Sequence, residues 1–432
     1  MNGLKYDVVL FDLDGTLTES EPGILNCVQY AVEKMGFVLP PREELKKFIG
    51  PPLLSSFEDV CGMTGAQAEE ALALFRERFN PIGWKENSVY PGVAPLLRTL
   101  KARGARVGLA TSKPVDFARR IADYFGLSPY LDVIAAAPMK ETHHASKKEL
   151  IAQALPQKYR RACMVGDRLF DVEGAHDNGV DAIGVTYGYG SREELEKAGA
   201  DVIVETVEEL TGCLLGDEGL LPGFFISFEG GDGCGKTTQL LREAERLRAC
   251  GWRVVASREP GGCPISERIR SILLDLSSKG MCPECEALLF AAARAQHVRE
   301  VIWPAVARGE IVLCDRFLDS SLVYQGVARG LGVEKVYEIN RPAVDDRLPD
   351  LTLLYDLDPE TAIARRKNAT GLDRIESEKE DFLRLVHEGF AARADGKRVR
   401  RIDATRSIEA IERDTHEQIT RLLGADLREE EA

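Results

Sequence analysis

Short apolar runs that stop abruptly at a polar residue are the feature that most constrains how this chain folds. In the first half these runs are VVLF (8–11) before Asp12, RVGLA (106–110) before Thr111 and CMVG (163–166) before Asp167. In the second half they are FFISF (224–228), IVLC (311–314) before Asp315 and LTLLYD (351–356). Such runs, separated by helix-like stretches, are typical of buried parallel strands. We therefore predict two α/β domains, each a doubly wound parallel sheet whose ligands bind beyond the carboxyl ends of the strands.

A connector separates the two halves. The segment CLLGDEGLLPG (213–223) carries three glycines, a proline and an acidic pair, a composition typical of a link between periodic segments. The predicted domains are residues 1–215 and 224–432, with 216–223 as the linker. Within the first domain, residues 19–90 have mostly helical patterns, which predicts a helical insertion that could close over a site.

Charge and hydropathy exclude several classes of protein. The chain has 56 basic and 70 acidic side chains, a formal charge of −14, so a general affinity for nucleic acid is not expected. No apolar run approaches the ~18 residues that cross a bilayer, and no export signal is recognisable at the N-terminus. Ten scattered cysteines suggest reduced thiols. These features predict a cytoplasmic protein without membrane or nucleic-acid partners.

The first candidate site lies in FDLDGTLTES (11–20), where Asp12 and Asp14 follow a predicted strand. In extended geometry both side chains face the same side, and Gly15 lets the chain turn away. Two carboxylates this close need a cation between them or a proton on one of them. The two carboxylates suit nucleophilic attack by one aspartate and proton transfer by the other aspartate. A bare D-x-D is more often a simple turn, but DLDGT directly after an apolar strand is more specific.

The first half resembles the haloacid dehalogenase superfamily of aspartyl-phosphate phosphatases. Further motifs occur in the family's order: Thr111 in ATSKP, Lys147 in HASKKELI, and GDRLFD with Asp167 and Asp171. The likeness covers nearly all of residues 5–212 and points to members similar to phosphoglycolate phosphatase and 5′-nucleotidase. It implies a Rossmann-like core with a helical cap. Three lysines, Lys140, Lys147 and Lys148, are candidates for the family's lysine. The spacing of Lys147 before the apolar pair Leu150 and Ile151 favours Lys147.

The resemblance implies a role for each of these residues. Asp12 would attack phosphorus, and Asp14 would protonate the leaving oxygen and later deprotonate water. Thr111 and Lys147 would hold the transferring oxygens. The implied Mg²⁺ ligands are Asp12, Asp167, Asp171 and the backbone carbonyl of Asp14.

The second candidate site is the phosphate loop FEGGDGCGKTTQ (228–239), which contains G-x-x-x-x-G-K-T from Gly230 to Thr237. In such a loop, backbone N–H groups wrap phosphate oxygens at a helix N-terminus. Lys236 would reach the β and γ phosphates and Thr237 would hold Mg²⁺. The predicted ATP-binding residues are Gly230, Gly231, Asp232, Gly233, Cys234, Gly235, Lys236, Thr237 and Thr238.

The second half resembles thymidylate kinase across residues 224–423. The matching segments are the phosphate loop, REPGGCPISERIR (258–270), LLFAAARAQHV (288–298), DRFLDSSLVYQG (315–326), PDLTLLYDLD (349–358) and DRIE (373–376). The likeness implies ATP-dependent phosphorylation of dTMP, Mg²⁺ as cofactor and a homodimer formed through this half.

The resemblance also implies a dTMP pocket. Phe290 would stack on thymine, and its polar edge would be read by Arg294, Ser321 and Gln325. Arg316 would clamp the acceptor phosphate beside a metal-binding Asp315, and Tyr324 would favour deoxyribose. Asp232 and Arg258 would line the same cleft. The resemblance further implies a catalytic cation supplied by either the phosphate loop or a lid. The loop here has no internal arginine, so the lid within RRKNATGLDRIE (365–376) is expected to supply it, with Arg366 the leading candidate among Arg365, Arg366, Lys367 and Arg374.

Three functional classes fit these patterns. The first is a bifunctional enzyme that joins a phosphate monoester hydrolase to a dTMP kinase. The second is a kinase whose first half only scaffolds, and the third is a phosphatase regulated by a nucleotide-sensing phosphate loop. The intact Asp12, Asp14, Asp167 and Asp171 count against the second, and the thymine-pocket segments count against the third. We favour the bifunctional enzyme, acting on nucleotides and phosphate monoesters.

Overall fold

The computed structural model describes residues 4–50, 53–138, 146–366, 374–375, 378 and 380–424. The chain divides into two units, Met1–Leu220 with Ala249–Trp252, and Leu221–Arg248 with Arg253–Ala432. Each unit is built around its own parallel β-sheet.

The first unit alternates strands and helices. Its strands are β1 (Val8–Phe11), β2 (Thr18–Glu19), β3 (Ser88–Val89), β4 (Arg106–Pro114), β5 (Val133–Ala137), β6 (Ala162–Gly166), β7 (Asp181–Val185) and β8 (Val202–Val204). Its helices are α1 (Glu21–Lys34), α2 (Arg42–Leu45), α3 (Leu53–Cys61), α4 (Gly65–Phe79), α5 (Val93–Ala102), α6 (Val115–Tyr124), α7 (Lys147–Ala154), α8 (Leu169–Asp177), α9 (Arg192–Ala198) and α10 (Val207–Leu215).

The main sheet of this unit has the strand order β5-β4-β1-β6-β7-β8, with all pairs parallel. Strand β1 is central and completely buried, which explains its uninterrupted apolar sequence. Because parallel crossovers are right-handed, the helices on the two sides of β1 cover opposite faces of the sheet. Phe11 is in register with Leu109 of β4 and Val165 of β6. The polar residues that follow these three strands therefore meet at one edge.

The segment 19–90 carries the helices α1 to α4, and its two ends pair as the short antiparallel strands β2 and β3. Strands of two residues are too short to show an alternating pattern, so the sequence does not predict them. Helix α4 begins at a capping box between Thr64 and Gln67. Phe75 and Phe79 of that helix stack with ring centroids 5.2 Å apart.

The second unit also alternates strands and helices. Its strands are β9 (Phe224–Glu229), β10 (Val254–Arg258), β11 (Ile311–Asp315), β12 (Leu351–Asp356) and β13 (Val399–Asp403). Its helices are α11 (Lys236–Ala249), α12 (Pro264–Leu274), α13 (Pro283–His297), α14 (Trp303–Ala307), α15 (Leu318–Ser321), α16 (Val333–Val344), α17 (Pro359–Arg366), α18 (Glu380–Ala391) and α19 (Ile408–Leu423). Two π-helical turns, Val298–Ile302 and Leu322–Ala328, follow α13 and α15.

The second sheet has the strand order β10-β11-β9-β12-β13, again all parallel. The predicted fold class, two parallel-sheet α/β domains, is thus confirmed. Phe225 of the central strand β9 is fully buried, and its ring centroid lies 4.8 Å from Phe317 and 5.7 Å from Trp303. This aromatic cluster anchors the chain just beyond Arg316. In the part of the chain that the structure describes, no helix combines the length and apolarity needed to cross a membrane.

We expect Phe225→Ala to lower the free energy of unfolding of the second unit by about 3–5 kcal/mol, because it leaves a cavity between two aromatic rings. Calorimetry of the full chain would detect the shift in the transition of that unit. The matched control is Leu241→Ala on α11, a residue that is 54% exposed and whose truncation should change stability by about 0.5 kcal/mol or less. Equal shifts for the two variants would contradict the prediction.

Candidate active sites

The first site is assembled where β1 and β6 end. The amide of Asp12 donates to the carbonyl of Val165 at 2.9 Å, so the β1–β6 pairing continues one residue past β1. Gly15 has φ +82, and a Cβ at this position would lie 2.3 Å from Oδ2 of Asp167. Glycine is therefore required for the turn after Asp14 to pass close to Asp167.

Three carboxylates converge at this edge. Ligand oxygens of Asp12, Asp167 and Asp171 all lie within 4.8 Å of one another. The ammonium of Lys147 lies 2.9 Å from Oδ1 of Asp12 and 2.7 Å from Oδ1 of Asp171, and it donates to the carbonyl of Ala110 at 3.0 Å. The structure thus brings together four of the predicted site residues from β1, β6, α7 and α8.

The electrostatics of this cluster favour an additional cation. Burial, then the charges of Asp171 and Asp12, raise the pKa of Asp167 to about 8. Burial also raises the pKa of Asp171 to about 6, although Lys147 opposes the shift. Burial lowers the pKa of Lys147, but Asp12 and Asp171 reverse this effect and raise it overall. One ammonium does not neutralise three carboxylates, and this all-oxygen donor set fits Mg²⁺.

Asp14 has a partner that the sequence interpretation missed. Lys113 donates to both carboxylate oxygens of Asp14, at 2.8 and 3.0 Å, and its ammonium lies 5.5 Å from the ring centroid of Phe79 in α4. Thr111 is buried, and its hydroxyl accepts the amide hydrogen of Lys113 at 3.2 Å. The only signal was a basic residue two positions after Thr111 in ATSKP. Its pairing with Asp14, 99 residues away, is a tertiary contact.

A second missed residue is Tyr189, whose amide donates to Oδ2 of Asp167 at 2.8 Å. Its hydroxyl oxygen accepts the amide hydrogens of Ser20 at 2.7 Å and of Glu21 at 2.9 Å, at the start of α1. Tyr189 therefore ties the start of the helical segment to the carboxylate cluster. Its position in the glycine-rich segment TYGYGS was the available signal.

The second site begins at the loop between β9 and α11. Gly230, Gly233 and Gly235 have φ of 136, 84 and 87, a region that favours glycine, so the loop can curl with its amides inward. The ammonium of Lys236 donates to the carbonyl of Gly231 at 3.3 Å and lies 3.8 Å from Oδ1 of Asp232. The helix that starts at Lys236 adds its N-terminal dipole to this cradle.

Beside the loop, Thr237 and Asp315 form a pair of oxygen donors suited to Mg²⁺. The hydroxyl of Thr237 donates to Asp315, which ends β11. The other carboxylate oxygen of Asp315 is buried and accepts no hydrogen bond from the described residues. A hydroxyl and a carboxylate with an unused lone pair fit an oxygen-coordinated cation at this position.

One cavity of about 210 Å³ connects the loop to the predicted acceptor pocket. Its lining includes all the residues predicted to bind dTMP, namely Asp232, Arg258, Phe290, Arg294, Arg316, Ser321, Tyr324 and Gln325. Lys236, Thr237 and Asp315 line the same cavity, which therefore joins phosphate-binding groups to aromatic and polar side chains suited to a base. Arg270 and Ile375 also line it and were missed.

Arg316 and Asp232 form an ion pair in the lining of this cavity. Arg316 has φ +69, a conformation that non-glycine residues rarely adopt and that is enriched at functional sites. Its guanidinium contacts Asp232 and donates to the hydroxyl of Ser320 at 3.1 Å. The hydroxyl of Tyr324 donates to Asp232 at 3.3 Å, and its ring lies 5.1 Å from the guanidinium.

Buried acidic residues that the sequence interpretation missed hold these groups in place. Glu229 accepts the amide of Phe317 at 2.7 Å and the hydroxyl of Ser320 at 2.6 Å, which fixes the chain around Arg316. Burial, then the charge of Asp319, raise the pKa of Glu229 to about 7. The available signal for Glu229 was an acidic residue at the end of an apolar strand.

Arg294 is held in the same way. Its guanidinium donates to Glu259 at 2.7 Å, to the hydroxyl of Ser321 at 3.1 Å, to the carbonyl of Phe317 at 2.9 Å, and to Asn340. Arg294 is 1% exposed. These four partners lie on three separate segments of the chain, because Phe317 and Ser321 bound the same short helix, and they fix the planar guanidinium in one orientation.

The lid candidates are only partly described. Arg365 donates to the carbonyl of Ala404 at 3.1 Å. Arg374 is 5% exposed, donates to the carbonyl of Leu273 at 2.7 Å and lies 2.7 Å from the carboxylate of Glu286. The side chain of Arg366 and all of Lys367 lie outside the described part of the chain.

Comparison with known proteins finds a matching family model for each unit. The family model of thymidylate kinase matches residues 228–415, and that of haloacid dehalogenase-like hydrolase matches residues 9–185. The thymidylate kinase of Symbiobacterium thermophilum is 48% identical over 201 residues, covering 46% of this chain and 94% of that protein. The thymidylate kinase of Geobacter sulfurreducens is 48% identical over 196 residues, covering 44% of this chain and 92% of that protein.

Among solved structures, a predicted phosphatase from Clostridium acetobutylicum is 41% identical, covers 48% of this chain and 96% of its own, and has a TM-score of 0.44. A haloacid dehalogenase-like hydrolase from Streptococcus pneumoniae is 29% identical, with 47% and 95% coverage and a TM-score of 0.43. The chain belongs to the thymidylate kinase family through its second unit, and its first unit matches the haloacid dehalogenase-like hydrolase model.

Proposed function

We propose that this chain is a bifunctional enzyme, in which the second unit transfers the γ-phosphoryl group of ATP to dTMP and the first unit hydrolyses a phosphate monoester. The observation that carries the kinase proposal is the cavity that connects Lys236 to Phe290 and Gln325. A nucleotide sensor would need the phosphate loop but no base-sized acceptor pocket. This observation therefore favours phosphoryl transfer over sensing.

In the proposed kinase reaction, the amides of the loop 230–238 and the Lys236 ammonium hold the ATP phosphates. Arg316 holds the acceptor phosphate of dTMP. An oxygen of that phosphate then attacks the γ-phosphorus in line, and ADP leaves. Phe290 stacks on the base, and Tyr324 occupies space that a 2′-hydroxyl would need. Arg366 is proposed to offset the charge that spreads over the moving phosphoryl oxygens.

In the proposed phosphatase reaction, a carboxylate oxygen of Asp12 attacks phosphorus and the ester oxygen leaves with a proton from Asp14. Water then attacks the same phosphorus and gives a proton to Asp14. This step breaks the bond between phosphorus and the Asp12 oxygen, so phosphate is released and the Asp12 carboxylate is restored. Lys147 and Thr111 hold the phosphoryl oxygens. The convergence of Asp12, Lys147 and Asp171 supports this proposal and counts against a purely scaffolding first unit.

Mg²⁺ is proposed in both units. Asp12, Asp167, Asp171 and the carbonyl of Asp14 would hold it in the first unit, and Thr237 and Asp315 in the second. When bound, the ion would neutralise negative charge on the transferring phosphoryl group. The crowded carboxylates of the first unit and the unused oxygen of Asp315 support both assignments.

The two activities should be separable by single substitutions. We expect Asp12→Asn to lower phosphate release from a panel of monoesters about 10³-fold or more, because an amide is a poor nucleophile. Lys236→Ala should instead lower dTMP-dependent ADP release about 10²-fold or more. Each variant should keep the other activity, and Asp177→Asn, on the surface of α8, should keep both.

Two outcomes would contradict this scheme. ADP release that does not depend on dTMP would exclude a dTMP kinase and favour the sensing alternative. Phosphate release that is equal in Asp12→Asn and the unaltered chain would exclude the aspartyl-phosphate route and leave the scaffolding alternative.

Replacing the two lid arginines singly tests the catalytic cation. We expect Arg366→Ala to lower kcat for dTMP about 10²-fold, since a positive charge at the transition state would be lost. Arg365→Ala is the matched control and should have little effect, because its guanidinium is engaged by the carbonyl of Ala404. An Arg366→Ala enzyme with unchanged kcat would remove this assignment.

Homodimerisation through the second unit is part of the proposal. Exposed apolar side chains on α12 and α13, including Ile272 and Leu288, support such an interface. Light scattering of the full chain should give twice the mass of one chain. A monomeric mass at micromolar concentration would contradict it.

A further inference from the structure

Gln325 has one amide atom engaged and one unused. It lies on the π-helical turn after α15, lines the cavity of about 210 Å³ and is 1% exposed. Its Nε2 donates to Oε1 of Glu286 at 2.8 Å. Its Oε1 is buried and accepts no hydrogen bond from the described residues. A buried acceptor without a donor is costly, so its presence beside a cavity indicates a ligand that donates to it.

Glu286 determines the orientation of the Gln325 side-chain amide. It lies on α13, is 1% exposed, and its carboxylate also contacts Arg329 at 3.3 Å and Arg374 at 2.7 Å. Burial raises the pKa of Glu286, but Gln325 and the two arginines outweigh it and lower the pKa overall. An ionised carboxylate only accepts hydrogen bonds, so it takes the NH₂ group of Gln325 and leaves the carbonyl end for the cavity.

We propose that Glu286 is a positioning residue for base recognition, which fixes Gln325 so that Oε1 accepts a hydrogen bond from the N3–H group of the acceptor base. This inference rests on the proposed dTMP kinase function and extends it to how the base is selected. Phe290 and Arg294, one and two helical turns after Glu286 on α13, line the same cavity. One helix thus carries the stacking residue, an arginine for the polar edge and the carboxylate that orients the third reader.

The orientation of Gln325 distinguishes two classes of pyrimidine. Thymine and uracil carry a hydrogen on N3, which an amide oxygen accepts. Cytosine presents a lone pair at N3, which would face the lone pairs of Oε1 without a hydrogen bond. A polar site that leaves buried groups unpaired rejects the wrong substrate strongly. The fixed amide therefore selects thymine and uracil against cytosine, whereas it does not distinguish thymine from uracil.

The test compares kcat/KM for dTMP, dUMP and dCMP in the full chain and in Glu286→Gln. The substituted amide can donate as well as accept, so Gln325 is no longer held in one orientation. We expect kcat/KM for dTMP and dUMP to fall together about tenfold, while that for dCMP stays level or rises. Glu284→Gln is the matched control, because Glu284 lies on the same helix, has a side chain that is 54% exposed and forms an ion pair with Lys335 on the surface.

The ratios separate positioning from a structural role. The ratio of dTMP to dCMP should fall about tenfold in Glu286→Gln and stay unchanged in Glu284→Gln. Equal losses for all three substrates would mean that Glu286 only supports the fold, and would overturn the inference. A changed ratio of dTMP to dUMP would overturn it too, because these bases share the N3–H group.

A second variant covers the case in which Glu286→Gln does not fold. Glu286→Asp keeps a negative charge for Arg329 and Arg374 but draws the acceptor away from Gln325. It should lower the ratio of dTMP to dCMP in the same direction, and a stable variant with the full ratio would overturn the inference. If the unaltered chain phosphorylates no dTMP, the proposed function fails. If it does, and the ratios do not move, only the positioning role of Glu286 fails.

Discussion

The carboxylates of Asp12, Asp167 and Asp171 repel one another, but the parallel pairing of β1 with β6, together with the start of α8 just after β6, holds their oxygens within 4.8 Å of one another. Neighbouring parallel strands end at the same edge, so residues far apart in sequence are forced together there. Lys147 neutralises only part of this charge, and the remainder creates the demand for a cation. In the second unit the pairing of β11 with β9 likewise places Asp315 beside the phosphate loop.

The second unit uses buried carboxylates to orient groups that face its cavity. Glu229 holds the chain around Arg316, Glu259 holds Arg294, and Glu286 holds Gln325. A buried carboxylate is costly unless donors surround it, so each one fixes its partners in a single arrangement. The residues proposed to bind nucleotide are therefore positioned before a ligand arrives, which reduces the cost of ordering them on binding.

Contacts with the segment 19–90 extend the same logic to the first unit. Tyr189 connects the start of α1 to Asp167, and Lys113 lies between Asp14 and Phe79 of α4. Tyr189 and Lys113 therefore connect the helical segment to Asp167 and Asp14 of the candidate site. Substrate selection in this unit is expected to depend on side chains that the segment brings to the site.

The sequence by itself determined the fold class and the residues at the strand ends, because apolar runs and glycine-rich turns are local patterns with local physical causes. It also pointed to Lys147 among neighbouring lysines, and the structure brings this residue to Asp12. Only the tertiary structure decided the partners: Lys113 for Asp14 across 99 residues, Glu229 for Ser320 across 91, and Glu286 for Gln325 across 39. Such pairings depend on burial and on strand order, which bring distant side chains together. They produce no periodic pattern in the amino-acid sequence from which they could be predicted.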